Sequence, residues 1–161
     1  SGERPHLEPG THVILSEAGG PIGNDPNANL PLLKDRTHQL AQAIAARGRR
    51  LVILGSVPEI GWDVPHGLAN QLRFGIALPQ VPTASDYDQV SRGLTDHWLA
   101  EFAQASPAVS FLSLIPLFCK PDCTVGRGKM PYYRDTNHLS QSGAQIVAEH
   151  LSAHLNSIRG E

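Results

Sequence analysis

Leu51-Val52-Ile53-Leu54, followed at once by Gly55-Ser56, is the clearest strand signal in the chain. A short, unbroken apolar run of this kind predicts a buried strand of a parallel sheet. Upstream, Leu30 to Arg47 carries Leu33, Leu40, Ala43, Ile44 and Ala46 at helical spacing, and Gly48 ends that helix. Downstream, Pro65 opens a short helix to Phe74, and a loop with Pro79 and Pro82 follows. Asp86 to Ala105 presents Tyr87, Val90, Leu94, Trp98, Leu99 and Phe102 as one long amphipathic helix. Val109 to Leu114 reads as a further strand, and His12-Val13-Ile14-Leu15 as an earlier one. Gly19 to Asn29 is a Gly-, Pro- and Asn-rich loop, and Ile115 to Arg134 is irregular. Ser140 is the expected N-cap of a last helix along Ala144, Val147, Ala148, Leu151, Leu155 and Ile158. Strands separated by helices imply right-handed crossovers and a three-layer α/β/α architecture around a parallel sheet.

Composition narrows the class. The 161 residues fit one domain, and 40% hydrophobic with 17% charged content is that of a globular protein. A formal charge of −2 argues against a nucleic-acid partner, which usually leaves a basic stripe. The one basic cluster, Arg47, Arg49 and Arg50, follows a helix and reads as cations at its solvated C-terminus. No apolar run approaches the roughly 20 residues needed to span a bilayer. Residues 1–10 read as a linker or tag remnant and 11–161 as the folded domain.

Cys119 and Cys123, the two cysteines, are separated by Lys120-Pro121-Asp122. A local disulfide is the first reading and implies an oxidising compartment. Free thiols and a zinc site are the rivals, although two sulfurs and His138 make a poor zinc set.

In such a sheet the functional site lies beyond the carboxyl ends of the strands. Three loops leave those ends: Ser16 to Asp25, Gly55 to Pro65, and Ile115 to His138. The third contains Arg134-Asp135-Thr136-Asn137-His138-Leu139-Ser140. A histidine acting as general base needs a second group to fix its tautomer and stabilise its charged form. Asp135, three residues before His138, is placed to supply both. A lone Asp-x-x-His also occurs by chance in ordinary loops.

The longer string, Asp135 to Ala144, resembles the last block of the SGNH hydrolase superfamily. More narrowly it resembles the SGNH domain fused behind the membrane domain of acyltransferase-3 type O-acetyltransferases. Leu51 to Pro65 resembles that family's central strand and following turn, and Cys119 with Cys123 resembles its paired cysteines. The resemblance runs from about Thr11 to about Ile158 and implies an SGNH/flavodoxin-like fold. Such enzymes carry a nucleophilic serine in an early Gly-Asp-Ser motif, which this sequence does not contain. The chain is therefore read as the C-terminal portion of the domain, with the serine outside it.

On this resemblance His138 is the base, Asp135 orients it, and Asn24 in Gly23-Asn24-Asp25 is a candidate oxyanion donor, a loop turn being the plainer reading of Asn24. The implied reaction is O-acyl, typically acetyl, transfer to or from a cell-surface carbohydrate. The implied partners are a carbohydrate acceptor and an upstream membrane acyltransferase domain of the same polypeptide, at the periplasmic or extracytoplasmic face. No cofactor, metal or nucleic acid is expected. An esterase acting by hydrolysis is one alternative, and a non-catalytic carbohydrate-binding or scaffolding module is the other. His150 and His154 read as solvated, His97 and Glu101 as a surface i,i+4 pair, and Trp98 as core. Trp62, just past a strand end, either packs or lines a substrate pocket.

Overall fold

The computed structural model describes residues 29–88 and 91–159. The expected strand at His12–Leu15, the loop Ser16–Asp25 with the candidate donor Asn24, and the Gly19–Asn29 loop apart from Asn29 lie outside the described residues. The chain divides into two compact units, residues 1–51 and 52–161. In the first, α1 (Asn29–Ala45) runs into a turn closed by Gly48. Gly48 sits at φ 63°, the left-handed conformation that a helix C-terminus favours, and its N–H donates to the Ala45 carbonyl at 2.9 Å. Leu40, expected on the buried stripe of that helix, is 51% exposed.

In the second unit, β1 (Leu51–Leu54, whose first residue closes the first unit) and β2 (Val109–Leu112) form a parallel two-stranded sheet. The Gly55 N–H continues the pairing past the end of β1 by donating to the Leu112 carbonyl at 2.9 Å. The chain is thus α/β with a parallel sheet, as the alternating pattern predicts, and is consistent with the SGNH/flavodoxin-like fold that the resemblance implies.

Each helix starts where its local chemistry permits. The Asp63 carboxylate caps α2 (Val64–Phe74) by accepting from the His66 N–H at 2.8 Å, and Pro65 occupies the first turn. Gly75, at φ 67°, closes the helix by donating to Gln71. The span expected to be one helix is helical over α3 (Ala84–Asp88) and α4 (Ser91–Gln104), with 89–90 outside the described residues. The first starts before Asp86 because Thr83 and Asp86 make a reciprocal capping box. The Asp86 carboxylate accepts from the Thr83 N–H at 2.6 Å, and the Thr83 hydroxyl accepts from the Asp86 N–H at 3.3 Å. The Thr83 N–H, and the Thr83 hydroxyl donating to the same carboxylate at 2.9 Å, hold the Asp86 pKa below its ordinary value. Helix α4 packs on β2, stacking Trp98 on Phe102 at 5.5 Å, while Leu94 faces solvent at 62% exposure.

The stretch after β2, irregular by sequence, contains a single-turn helix α5 (Ile115–Phe118) and a small antiparallel hairpin. Its strands β3 (Gly126–Arg127) and β4 (Met130–Pro131) pair Gly126 with Pro131 and Arg127 with Met130. The Cys119 and Cys123 sulfurs, both buried, are joined at 2.02 Å. Helix α6 (Gln141–Arg159) closes the described chain. Ser140 caps it, its hydroxyl accepting from the Gly143 N–H at 3.2 Å and donating to the Pro131 carbonyl at 2.6 Å. His154, expected to be solvated, instead places Nε2 3.1 Å from the Ser110 hydroxyl of β2.

Candidate active site

The dyad loop is a closed turn. Arg134 N–H donates to the His138 carbonyl at 2.9 Å, and Tyr133 and Leu139 face each other in an antiparallel bridge. Ser140 N–H donates to Tyr132 at 2.9 Å, and Tyr132 N–H donates to Val125 at 2.8 Å. The loop is thereby tied at one side to the hairpin and at the other to α6. Glycine is required at position 143, where an ideal Cβ would lie 2.1 Å from the Tyr132 carbonyl oxygen. Tyr133 anchors the loop as the most deeply buried aromatic residue, at 0% exposure. Burial, with Tyr87 beside it, pushes its phenol pKa up, and its hydroxyl has no partner among the described residues.

Within this turn Asp135 uses both carboxylate oxygens. One accepts from the backbone N–H of Asn137 at 3.0 Å and of His138 at 2.7 Å. The other lies 2.8 Å from Nδ1 of the His138 ring. Desolvation raises the Asp135 pKa, but the hydrogen bonds from Asn137 and His138 and the field of the imidazole outweigh it and bring it to about 2. The carboxylate is therefore ionised throughout the neutral range. Arg134 Nε lies 4.0 Å from it on the exposed rim. The His138 side chain is 43% exposed, and its Nε2 has no hydrogen-bond partner among the described residues. With Nδ1 engaged by a carboxylate, a neutral ring carries its proton there and offers the Nε2 lone pair as acceptor.

The loop after β1 holds the dyad in place. Ile60 N–H donates to the Thr136 carbonyl at 2.8 Å, and Val64 N–H to the Asp135 carbonyl at 3.5 Å. The two segments that leave the carboxyl ends of β1 and β2 therefore meet at the dyad. The loop after β1 is fixed at its root by Asp96 of α4, which accepts from the Ser56 hydroxyl and backbone N–H, both at 3.1 Å. Gly55 allows this approach, because a Cβ there would lie 2.9 Å from the Asp96 carboxylate and from the Phe111 ring. The sequence does not single out Asp96, which acts through a contact 40 residues away. The Asp63-x-Pro65 spacing is a readable capping signal.

No serine among the described residues is bonded to His138. Ser56 is engaged by Asp96, and Ser140 by Pro131 and Gly143. Among the described residues no three His, Cys, Asp or Glu side chains converge as a metal site requires.

The loops after β1 and β2 thus converge on an Asp–His pair whose ring is open at Nε2, an arrangement able to accept a proton. The family model for the SGNH domain fused to AT3 domains matches residues 7–153, and the chain belongs to that family. Its members are in general hydrolytic or acyl-transferring enzymes, associated with an acyltransferase domain and typically tethered to the membrane through it. No curated protein and no solved structure matches the chain. Among the described residues no helix is long and apolar enough to cross a membrane.

Proposed function

We propose that this chain supplies the acid–base half of an O-acyl transfer site, with the nucleophilic serine contributed by residues outside this sequence. The observation that carries the reading is the Asp135–His138 pair, bonded through Nδ1 and open at Nε2. Nε2 takes the proton of the serine hydroxyl as its oxygen attacks the acyl carbonyl, and an acyl-serine ester forms as the original alcohol leaves with that proton. In the second half His138 takes the proton of the acceptor hydroxyl as its oxygen attacks the acyl-serine ester, and returns that proton to the serine oxygen as the acyl–serine bond breaks. Asp135 keeps its charge in both halves and stabilises the imidazolium without taking a proton, consistent with its lowered pKa.

The acceptor in this proposal is a carbohydrate hydroxyl outside the cytoplasm, presented to a polypeptide that also contains a membrane acyltransferase domain. The family's fusion to AT3 domains supports that setting, and the Cys119–Cys123 pair suits an oxidising compartment. Asn24 is the proposed oxyanion donor.

The test is acyl transfer by the full-length polypeptide containing His138→Ala. The expected loss is about 100-fold or more, the usual contribution of a positioned base, with the folded circular-dichroism spectrum retained. Asp135→Asn should lose at most as much. Wild-type turnover by a folded His138→Ala protein would remove the catalytic assignment and favour a non-catalytic carbohydrate-binding module.

A further inference from the structure

Beside the dyad loop lies a second feature that acid–base chemistry does not use. The backbone on either side of Trp62 is tied to the dyad loop, through Ile60 to Thr136 and Val64 to Asp135. Trp62 itself walls a cavity of about 190 Å³ with Asp63, His66, Asn70, Ile76 and Pro79.

The indole is held in one orientation. Its six-membered ring lies against the α-carbon of Gly67, where an ideal Cβ would come 2.4 Å from Cζ3. Its Nε1–H donates to the Gln80 carbonyl at 3.3 Å. The ring's only polar group is therefore spent, and what it presents to the cavity is a pre-oriented apolar surface.

The polar groups around that surface are not spent. One Asp63 oxygen caps α2, and the other has no partner among the described residues. The His66 ring and the Asn70 amide have none there either. An acceptor, an amide carrying both donor and acceptor, and an imidazole thus share with one fixed aromatic wall a lining that also holds the apolar Ile76 and Pro79. A ligand for this arrangement needs an apolar C–H face and a rim of hydroxyls. An anionic group would meet the Asp63 carboxylate and no Lys or Arg in the lining. A wholly apolar group would leave the three polar side chains desolvated and unpaired.

We propose that the Trp62 cavity is a pyranose subsite that stacks one neutral sugar ring on the indole and binds its hydroxyls through Asp63, His66 and Asn70. This deepens the functional reading above and rests on it for the identity of the sugar as acceptor; binding itself does not require catalysis. Gly67 is part of the subsite, because any side chain there would displace the indole.

The test is saturation-transfer NMR on the full chain at millimolar probe, with methyl β-D-glucopyranoside, methyl α-L-rhamnopyranoside and N-acetylglucosamine as probes and the open-chain polyol sorbitol as control. At least one pyranoside should bind, with the strongest saturation on ring C–H protons, and sorbitol should not. Trp62→Leu should weaken binding about tenfold or more, the usual effect of removing a stacked aromatic anchor. Trp62→Phe keeps a ring face without the Nε1–H bond, and should fold and bind within a few-fold of wild type. Asn70→Ala should weaken binding several-fold, and His138→Ala should leave it unchanged. Absence of pyranoside binding by the folded wild-type chain, sorbitol binding as well as the sugars do, or equal binding by folded Trp62→Leu would overturn the subsite. Loss of acyl transfer in His138→Ala is read separately, so either claim can fail without the other.

Discussion

The sheet and the dyad-bearing segment after it are built in opposite ways. Strands β1 and β2 are four residues each; β2 buries only its end residues Val109 and Leu112, β1 buries none, and Leu54 of β1 is 41% exposed. Residues 115–140 hold little regular structure, yet include Phe118 at 1%, Cys119 at 3%, Cys123 at 4% and Tyr133 at 0% exposure. The main buried cluster joins these to Ile60 of the loop that clasps the dyad, Val64 at the start of α2 and Tyr87 of α3, and no residue of β1 or β2 belongs to it. The sheet defines direction by bringing its carboxyl ends to one side. The irregular segment supplies rigidity through aromatic packing, the cysteine pair and backbone bonds at nearly every turn. A catalytic base on a loop needs that rigidity, because a small misplacement costs a large part of the rate.

The largest difference should appear on truncation. Phe118 packs edge-on to Tyr132 at 6.3 Å and tilted to Tyr133 at 5.9 Å. Phe118→Ala should cost about 3–5 kcal/mol in urea unfolding. Val52→Ala in β1 should cost about 1 kcal/mol, at about 0.8 kcal/mol for each fully buried methyl-sized group and with Val52 only partly covered. Equal costs would erase the contrast between loop and sheet.

A smaller effect sharpens the comparison at the junction of loop and helix. Gly143→Ala pushes a methyl group against the Tyr132 carbonyl and should destabilise by about 1–3 kcal/mol, despite alanine's better helix propensity. A melting temperature at or above that of wild type would show that the loop yields at this point.

The smallest concerns acid. The Asp135 pKa is lowered from 3.8 to about 2, so its ionised form favours the folded state. That contribution is fully present above pH 3.8 and is lost as pH falls through about 2. Because the side chain is 38% exposed, solvent screening keeps the contribution modest. Asp135→Asn should therefore be less stable than wild type at neutral pH, and the gap should close toward about pH 2. A gap of constant size would show that ionisation of Asp135 contributes nothing to stability.

Much of this was legible in the sequence, and what was not has physical causes. Strands β1 and β2, α2 and α6 follow from unbroken apolar runs, Pro65 and the Ser140 cap. The dyad is legible because both its residues lie in one short turn. Leu40 and Leu94 show the limit of periodicity, which gives spacing along a helix without saying which stripe is covered. The hairpin at 126–131 is hidden because two-residue strands have no alternation to read. The Asp96–Ser56 and His154–Ser110 contacts join residues 40 and 44 positions apart, and no local pattern announces such pairs.

The central claim is that Asp135 fixes His138 with its proton on Nδ1 and leaves Nε2 as the base. Long-range ¹H–¹⁵N NMR of the His138 ring in this chain reads that state directly. The account predicts, for the neutral ring, a protonated Nδ1 and an unprotonated Nε2, with the preference lost in Asp135→Asn. A neutral ring protonated on Nε2, or the same tautomer mixture in wild type and Asp135→Asn, would contradict it.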